Sequence, residues 1–125
     1  MIVLDASALL AFLFKEPGRD QVGARIGSSC LSAVNLAEVI GKFVQRGVSA
    51  ELVLGKLLAS TVEMVPFSPS DAALAASLLP QTQRQGLSLA DRACLALAIR
   101  RRLPVLTADQ AWGALNIGVE VQVIR

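Results

Sequence analysis

The chain carries five aspartates and five glutamates but neither histidine nor tyrosine. Without histidine, Ser-His-Asp and Cys-His catalysis, histidine general bases and the usual zinc sites are excluded. Any chemistry must rest on carboxylates, hydroxyls, basic groups and a metal. Four of the acids fall at comparable places. Asp5 directly follows the short apolar run Ile2-Val3-Leu4, and Asp109 follows Val105-Leu106-Thr107 at a distance of two residues. Asp91 lies in the first turn of the helix leading into the Val105 run, and Glu38 lies about one turn into another helix. In a parallel α/β sheet the first turns of returning helices approach the carboxyl ends of the strands, which is where such sheets place their ligands. The four carboxylates are therefore expected to converge on one rim.

Such a cluster needs a cation. Two like charges about 4 Å apart cost about 4 kcal/mol at an effective dielectric of about 20. An all-oxygen site without histidine or thiolate suits Mg²⁺ or Mn²⁺. A metal held this way orients a phosphodiester, lowers the pKa of bound water and stabilises the leaving oxygen, so the residue set points to metal-assisted phosphodiester hydrolysis. Each acid also has a purely structural reading. Asp5 and Asp109 suit helix N-caps, and Asp91 suits the third position of a capping box opened by Ser88. Asn35, Glu38, Lys42 and Gln45 could form one solvated stripe of a helix. Singly these readings are strong, but they do not explain why so few acids fall at the same end of the sheet.

The elements that would position the acids follow from pattern. Ile2 to Leu4 reads as a strand buried on both faces, and Ala8 to Phe14 as a helix packed back on it, ended by Pro17 and Gly18. Arg19 to Ile26 is a short amphipathic helix closed by Gly27, and Ser29 to Leu31 a second strand. Ser32 opens a helix to about Arg46 with Gly47 as its stop, and Ser49 opens another to about Ser60. Val62 to Pro66 reads as an edge strand, given Glu63 and Pro66. Ser70 to about Gln83 is read as helical after a capping box of Ser68 and Asp71. Ala90 to Arg102 is a long apolar helix with arginines in its last turn, where cations complement the helix dipole. Val105 to Thr107 is a buried strand, Asp109 to Leu115 a short helix, and Val119 to Ile124 a final strand. The alternation predicts a three-layer α/β/α sandwich around a mostly parallel sheet of about five strands, as a single domain spanning residues 1–125.

Composition adds a second expectation. Apolar residues make up 54% of the 125 residues and the net charge is +2; mean hydropathy is +0.56. No uncharged apolar run reaches the roughly 18 residues of a membrane span. The apolar opening has no basic leader and contains Asp5, unlike a secretory signal. A cytoplasmic protein with partner-covered apolar surface is expected. Leu9, Leu10, Phe12, Leu13 and Phe14 are too many for one side of a helix, and Leu52, Val53, Leu57 and Leu58 add a second stripe. The two cysteines, Cys30 and Cys94, read as buried small hydrophobes in a reducing compartment. Lys15, Arg19, Arg25, Arg92 and Arg100 to Arg102 are candidates for neutralising phosphates. Trp112 reads as a packing residue.

Four stretches, in order and spacing, carry a family resemblance across nearly the whole chain. Val3-Leu4-Asp5-Ala6-Ser7-Ala8-Leu9 resembles the opening motif of PIN-domain nucleases, and Ser32-Ala33-Val34-Asn35-Leu36-Ala37-Glu38-Val39 their second. Leu87-Ser88-Leu89-Ala90-Asp91 and Val105-Leu106-Thr107-Ala108-Asp109-Gln110-Ala111-Trp112 resemble the third and fourth. The short chain is similar to VapC-type toxins of toxin–antitoxin pairs. The resemblance implies an endoribonuclease dependent on Mg²⁺ or Mn²⁺, with Asp5, Glu38, Asp91 and Asp109 as the acidic tetrad and Ser7 and Thr107 as supporting hydroxyls. It also implies a homodimer, an RNA substrate, and an antitoxin whose C-terminal segment fills the groove beside the acids. Ala108 departs from the charged residue often found after the threonine, which removes a basic substrate contact from this loop.

Two other classes share parts of this pattern. A phosphate-accepting receiver domain has a similar length and an acidic Mg²⁺ pocket. It requires paired acids after the first strand, an aspartate after the third and a late lysine, whereas Asp5 stands alone and no lysine follows Lys56. A catalytically silent binding module of the same fold is the other alternative. Nucleotide-binding glycine motifs are absent.

Overall fold

The computed structural model describes residues 1–125. β1 (Ile2–Leu4) runs into α1 (Ala6–Leu13), followed by α2 (Arg19–Arg25), a single 3₁₀ turn at Ile26–Ser28, and β2 (Ser29–Ser32). Next come α3 (Ala33–Gln45), α4 (Ala50–Leu58), β3 (Glu63–Val65), α5 (Pro69–Ser77) and α6 (Leu79–Thr82). α7 (Leu89–Arg101), β4 (Val105–Thr107), a 3₁₀ segment at Gln110–Ala114 and β5 (Val121–Val123) complete the chain.

All five strands are parallel, in the order β3-β2-β1-β4-β5. β1 is central, with Val3 opposite both Cys30 of β2 and Val105 of β4. Successive strand side chains alternate between faces, and two cores result. Ile2, Leu4, Leu31 and Leu106 join Leu9, Val22, Val39 and Val53 beneath α1 to α4. Val3, Cys30, Val65 and Val105 join Leu78, Cys94, Leu95 and Trp112 beneath α5 to α7. The three-layer α/β/α sandwich expected from the sequence is the observed architecture.

Edges and breaks follow local chemistry. β3 lies at one edge, as Glu63 and Pro66 predict, and exposed Glu63 is held by Arg101 at 2.7 Å. The helix expected over 70–83 is two helices meeting at Leu78, because Pro80 has no N–H to continue the α5 ladder. The final strand is shorter than the expected 119–124: Gly118 adopts a φ of +77°, and regular pairing starts only at Val121. Gly18, with φ +93°, begins α2 directly against Ile124; a Cβ there would stand 2.7 Å from the Ile124 carbonyl oxygen. Both cysteines are buried and unpaired. No helix is long and apolar enough to cross a membrane.

Candidate active site

Asp5 occupies the N-cap position of α1, with extended backbone at φ −73°, ψ 152°, yet its side chain caps nothing. It is 3% exposed. Its Oδ2 accepts hydrogen bonds from Ser7 Oγ at 2.6 Å and Thr107 Oγ1 at 2.9 Å, while Oδ1 accepts none. The capping role expected as the structural reading of Asp5 is therefore absent. Each hydroxyl has one proton, and both protons go to Asp5. The hydroxyl oxygens in turn accept from the next strand's exit: Ser7 Oγ from Ala108 N at 2.9 Å, Thr107 Oγ1 from Asp109 N at 3.0 Å. Ser7 and Thr107 thus lock the loop after β4 to the end of β1, with Asp5 at the centre.

Asp91 is in the first turn of α7 and completes the predicted capping box. Its Oδ2 accepts from Ser88 N at 2.9 Å, and Ser88 Oγ accepts from Asp91 N at 3.1 Å. Asp109 caps the 3₁₀ segment through Oδ1, which accepts from Ala111 N at 3.0 Å. Glu38 Oε1 accepts from Asn35 Nδ2 at 3.0 Å, and the same nitrogen donates to Ala90 O at 3.0 Å in the first turn of α7. Asn35 is not part of a solvated stripe. It is fully buried, and its Oδ1 has no hydrogen-bond partner. Sequence reasoning missed this residue; the available signal was an amide in an apolar first turn, three positions before a glutamate, where side chains meet.

All four acids share one pattern. One oxygen is held by a hydrogen bond and the other accepts none. No lysine or arginine pairs with any of them, since the ion pairs are Arg100–Asp71, Arg101–Glu63 and Arg125–Glu16. Burial pushes the Asp5 carboxyl up from 3.8 to about 6, against the opposing hydrogen bonds of Ser7 and Thr107; the charges of Asp91 and Glu38 raise it further. Asp5 therefore lies within the fields of Asp91 and Glu38, and the Asp109 backbone is tied to Asp5 through the Thr107 hydroxyl. As the side chains are oriented here, no three acids or cysteines stand close enough to share an ion. The donor set nevertheless fits a hard cation: free carboxylate oxygens, each oriented by the hydrogen bonding of its partner oxygen, charge uncompensated by the protein, and the orphaned Asn35 oxygen beside Glu38.

Beneath the site, Cys94 directs its thiol at Leu4 O, 3.7 Å away, and burial pushes that thiol well above its usual range. It packs the floor of the rim and has no nucleophilic character.

The family profile of the PIN domain matches residues 2–117. The chain belongs to the PIN-domain family. Among solved structures of this fold, a toxin–antitoxin complex from Klebsiella pneumoniae superposes with a TM-score of 0.75 at 21% identity, covering 100% of this chain and 98% of that one. VapBC from Salmonella typhimurium, crystallised bound to DNA, gives 0.71 at 18% identity with full coverage of both chains. Mycobacterium tuberculosis VapC20, described as a sarcin–ricin loop cleaving toxin, gives 0.73 at 14%, covering 96% of this chain and 99% of that one. No curated protein sequence matches the chain.

The helices and their contacts sort the candidate arginines. Arg101 and Arg102 close α7 at the end opposite the acids, and Arg100 is committed to Asp71 at 2.8 Å. Arg92 donates to Ala75 O between α5 and α7. Arg25 donates to Gln122, and Arg19 to the carbonyls of Lys15 and Glu16. Lys42, Arg46 and Arg125 share a cleft with Ser7, whose hydroxyl holds Asp5.

Proposed function

We propose that this PIN domain is a Mg²⁺- or Mn²⁺-dependent endoribonuclease acting as the toxin of a toxin–antitoxin pair. The observation that carries the reading is the buried Asp5 carboxylate, which feels the charges of Asp91 and Glu38 and has no lysine or arginine paired with it. Asp5, Glu38, Asp91 and Asp109 would hold the metal through their free oxygens. The bound ion supplies Lewis-acid activation of a phosphodiester and of the attacking water. The chain's own groups orient that site: Ser7 and Thr107 fix Asp5, Asn35 fixes Glu38, and the Ser88 amide fixes Asp91. The raised pKa of Asp5 fits a carboxylate whose neutralising partner is not a protein group.

Residues 1–125 act as one nuclease domain in the cytoplasm, as a homodimer paired with an antitoxin. An open apolar cleft of about 420 Å³ supports such partners; it lies between α1, α3 and α4 and is lined by Leu13, Phe43, Leu52 and Leu57. A receiver-like role finds no support: β3 is followed by Pro66, Phe67 and Ser68, without an acceptor aspartate.

Cleavage of RNA by the purified chain is the test. EDTA should abolish it, and Mg²⁺ or Mn²⁺ should restore it. Undiminished cleavage in chelator would sink the mechanism.

A further inference from the structure

We propose that the cleft between α1 and the second half of α3 binds the RNA backbone beside the scissile phosphodiester, with Lys42 and Arg46 as its phosphate ligands. This rests on the nuclease reading above. The cleft is an open cavity of about 300 Å³ whose walls include Ser7, Phe14, Glu16, Lys42, Arg46 and Arg125. Ser7 joins it to the acid rim, since the same hydroxyl holds Asp5 at 2.6 Å.

Lys42 and Arg46 follow Glu38 by four and eight residues along one broad face of α3. At about 1.5 Å of rise per residue, they stand about 6 and about 12 Å further along the axis. A strand whose cleaved phosphate lies at Glu38 therefore meets two cations in succession. Neither forms an ion pair, whereas Arg125 is partly committed to Glu16 at 3.5 Å.

Arg46 is held without using its hydrogen-bonding capacity. Its guanidinium lies 3.9 Å above the Phe14 ring, and Phe14 leans on Phe43 with centroids 5.0 Å apart. Stacking engages the flat face of the guanidinium and leaves its in-plane N–H donors free for a phosphate. Lys42 also sits in the last turn of α3 and Arg46 at its C-cap, where cations complement the helix dipole. That effect accounts for their charge. It does not account for a guanidinium pinned over a ring, with unused donors, in a cleft that shares Ser7 with the acid site. An acidic protein segment would meet the same cations, but continuity with the acid rim and the ladder from Glu38 favour a phosphodiester chain.

The experiment measures binding of fluorescently labelled single-stranded RNA of mixed sequence in EDTA, across a salt series, for the full chain and Lys42→Ala/Arg46→Ala. The double variant should bind roughly tenfold more weakly, and its plot of log affinity against log salt should be shallower by about 1.4, at about 0.7 per lost contact on a single strand. Lys42→Arg/Arg46→Lys should restore the slope. With metal present, KM should rise at unchanged kcat, and the thermal shift produced by Mn²⁺ should stay as in the unsubstituted chain. Equal affinity and equal slope in the two proteins would overturn the assignment while leaving the nuclease reading standing. So would a loss confined to an acidic peptide such as polyglutamate. RNA bound through these residues but never cleaved would overturn the nuclease reading instead.

Discussion

Asp5 is a residue whose ionisation opposes folding. Its carboxyl titrates near 3.8 unfolded and at about 6 folded, so below the lower value both states are protonated and nothing is lost. Between the two values folding takes up a proton, and above about 6 the folded state carries the full cost of a buried anion. Stability contributed by this residue therefore falls as pH rises through that window. At about 1.4 kcal/mol per pH unit, the folded anion is disfavoured by up to about 3 kcal/mol. Asp5→Asn should accordingly melt higher than the unsubstituted chain near pH 7 in EDTA, with the gain vanishing near pH 4. Mg²⁺ should reverse the order at neutral pH by stabilising only the aspartate form, and the variant should not cleave RNA. Melting curves at the two pH values, with and without metal, decide this; an asparagine variant that melts lower at pH 7 contradicts it.

α3 and α7 are hydrogen-bonded at the site through Asn35, which donates to Glu38 on its own helix and to Ala90 O on the other. Asn35→Leu removes both bonds together with the unpartnered Oδ1, so the gain in apolar packing offsets much of the loss and stability should change by only about 1 kcal/mol. Glu38 loses its anchor, and Mn²⁺ affinity should fall at least tenfold, as for other groups that orient metal ligands. Titration calorimetry beside a denaturant melt separates the two effects; unchanged affinity would make Asn35 a packing residue only. The joint also shows what was legible in the sequence. β1, β4 and the capping boxes of Ser68–Asp71 and Ser88–Asp91 were readable, because apolar runs and side chains three residues apart are local facts. Asp5, Asp91 and Asp109 were readable as candidates because they stand at element boundaries, and Glu38 because it lies about one turn into a helix that starts at the strand ends. The burial of Asn35 was not, since it depends on α7 docking across the sheet. Nor was the sorting of the arginines, because only the direction of each helix decides whether its last turn lies at the acid rim or opposite it. The break at Pro80 was locally written and simply outweighed by the apolar run around it.

Across the whole molecule, Leu52 and Leu58 are more than half exposed, at 54% and 59%, although α4 buries Val53 and Leu57. The apolar excess is thus partly a surface property, and a two-fold interface or a partner helix is the common way to cover such a patch. Light scattering at micromolar concentration should give twice the 13.2 kDa chain mass; a stable, soluble monomer would contradict the proposed homodimer. The sheet order has a temporal consequence as well. β1 is made about a hundred residues before its sheet neighbour β4 (Val105–Thr107), so Thr107 and Asp109 emerge long after Asp5. A nascent chain halted before β4 holds Asp5 and Glu38 but lacks the hydroxyl and the loop that fix Asp5, and its central strand has one open side. If the proposed nuclease reading holds, the growing chain should stay inactive until β4 has emerged and paired with β1. Nascent chains stalled around residue 100 should then fail to cleave RNA under conditions in which residues 1–125, on the proposed reading, cleave it.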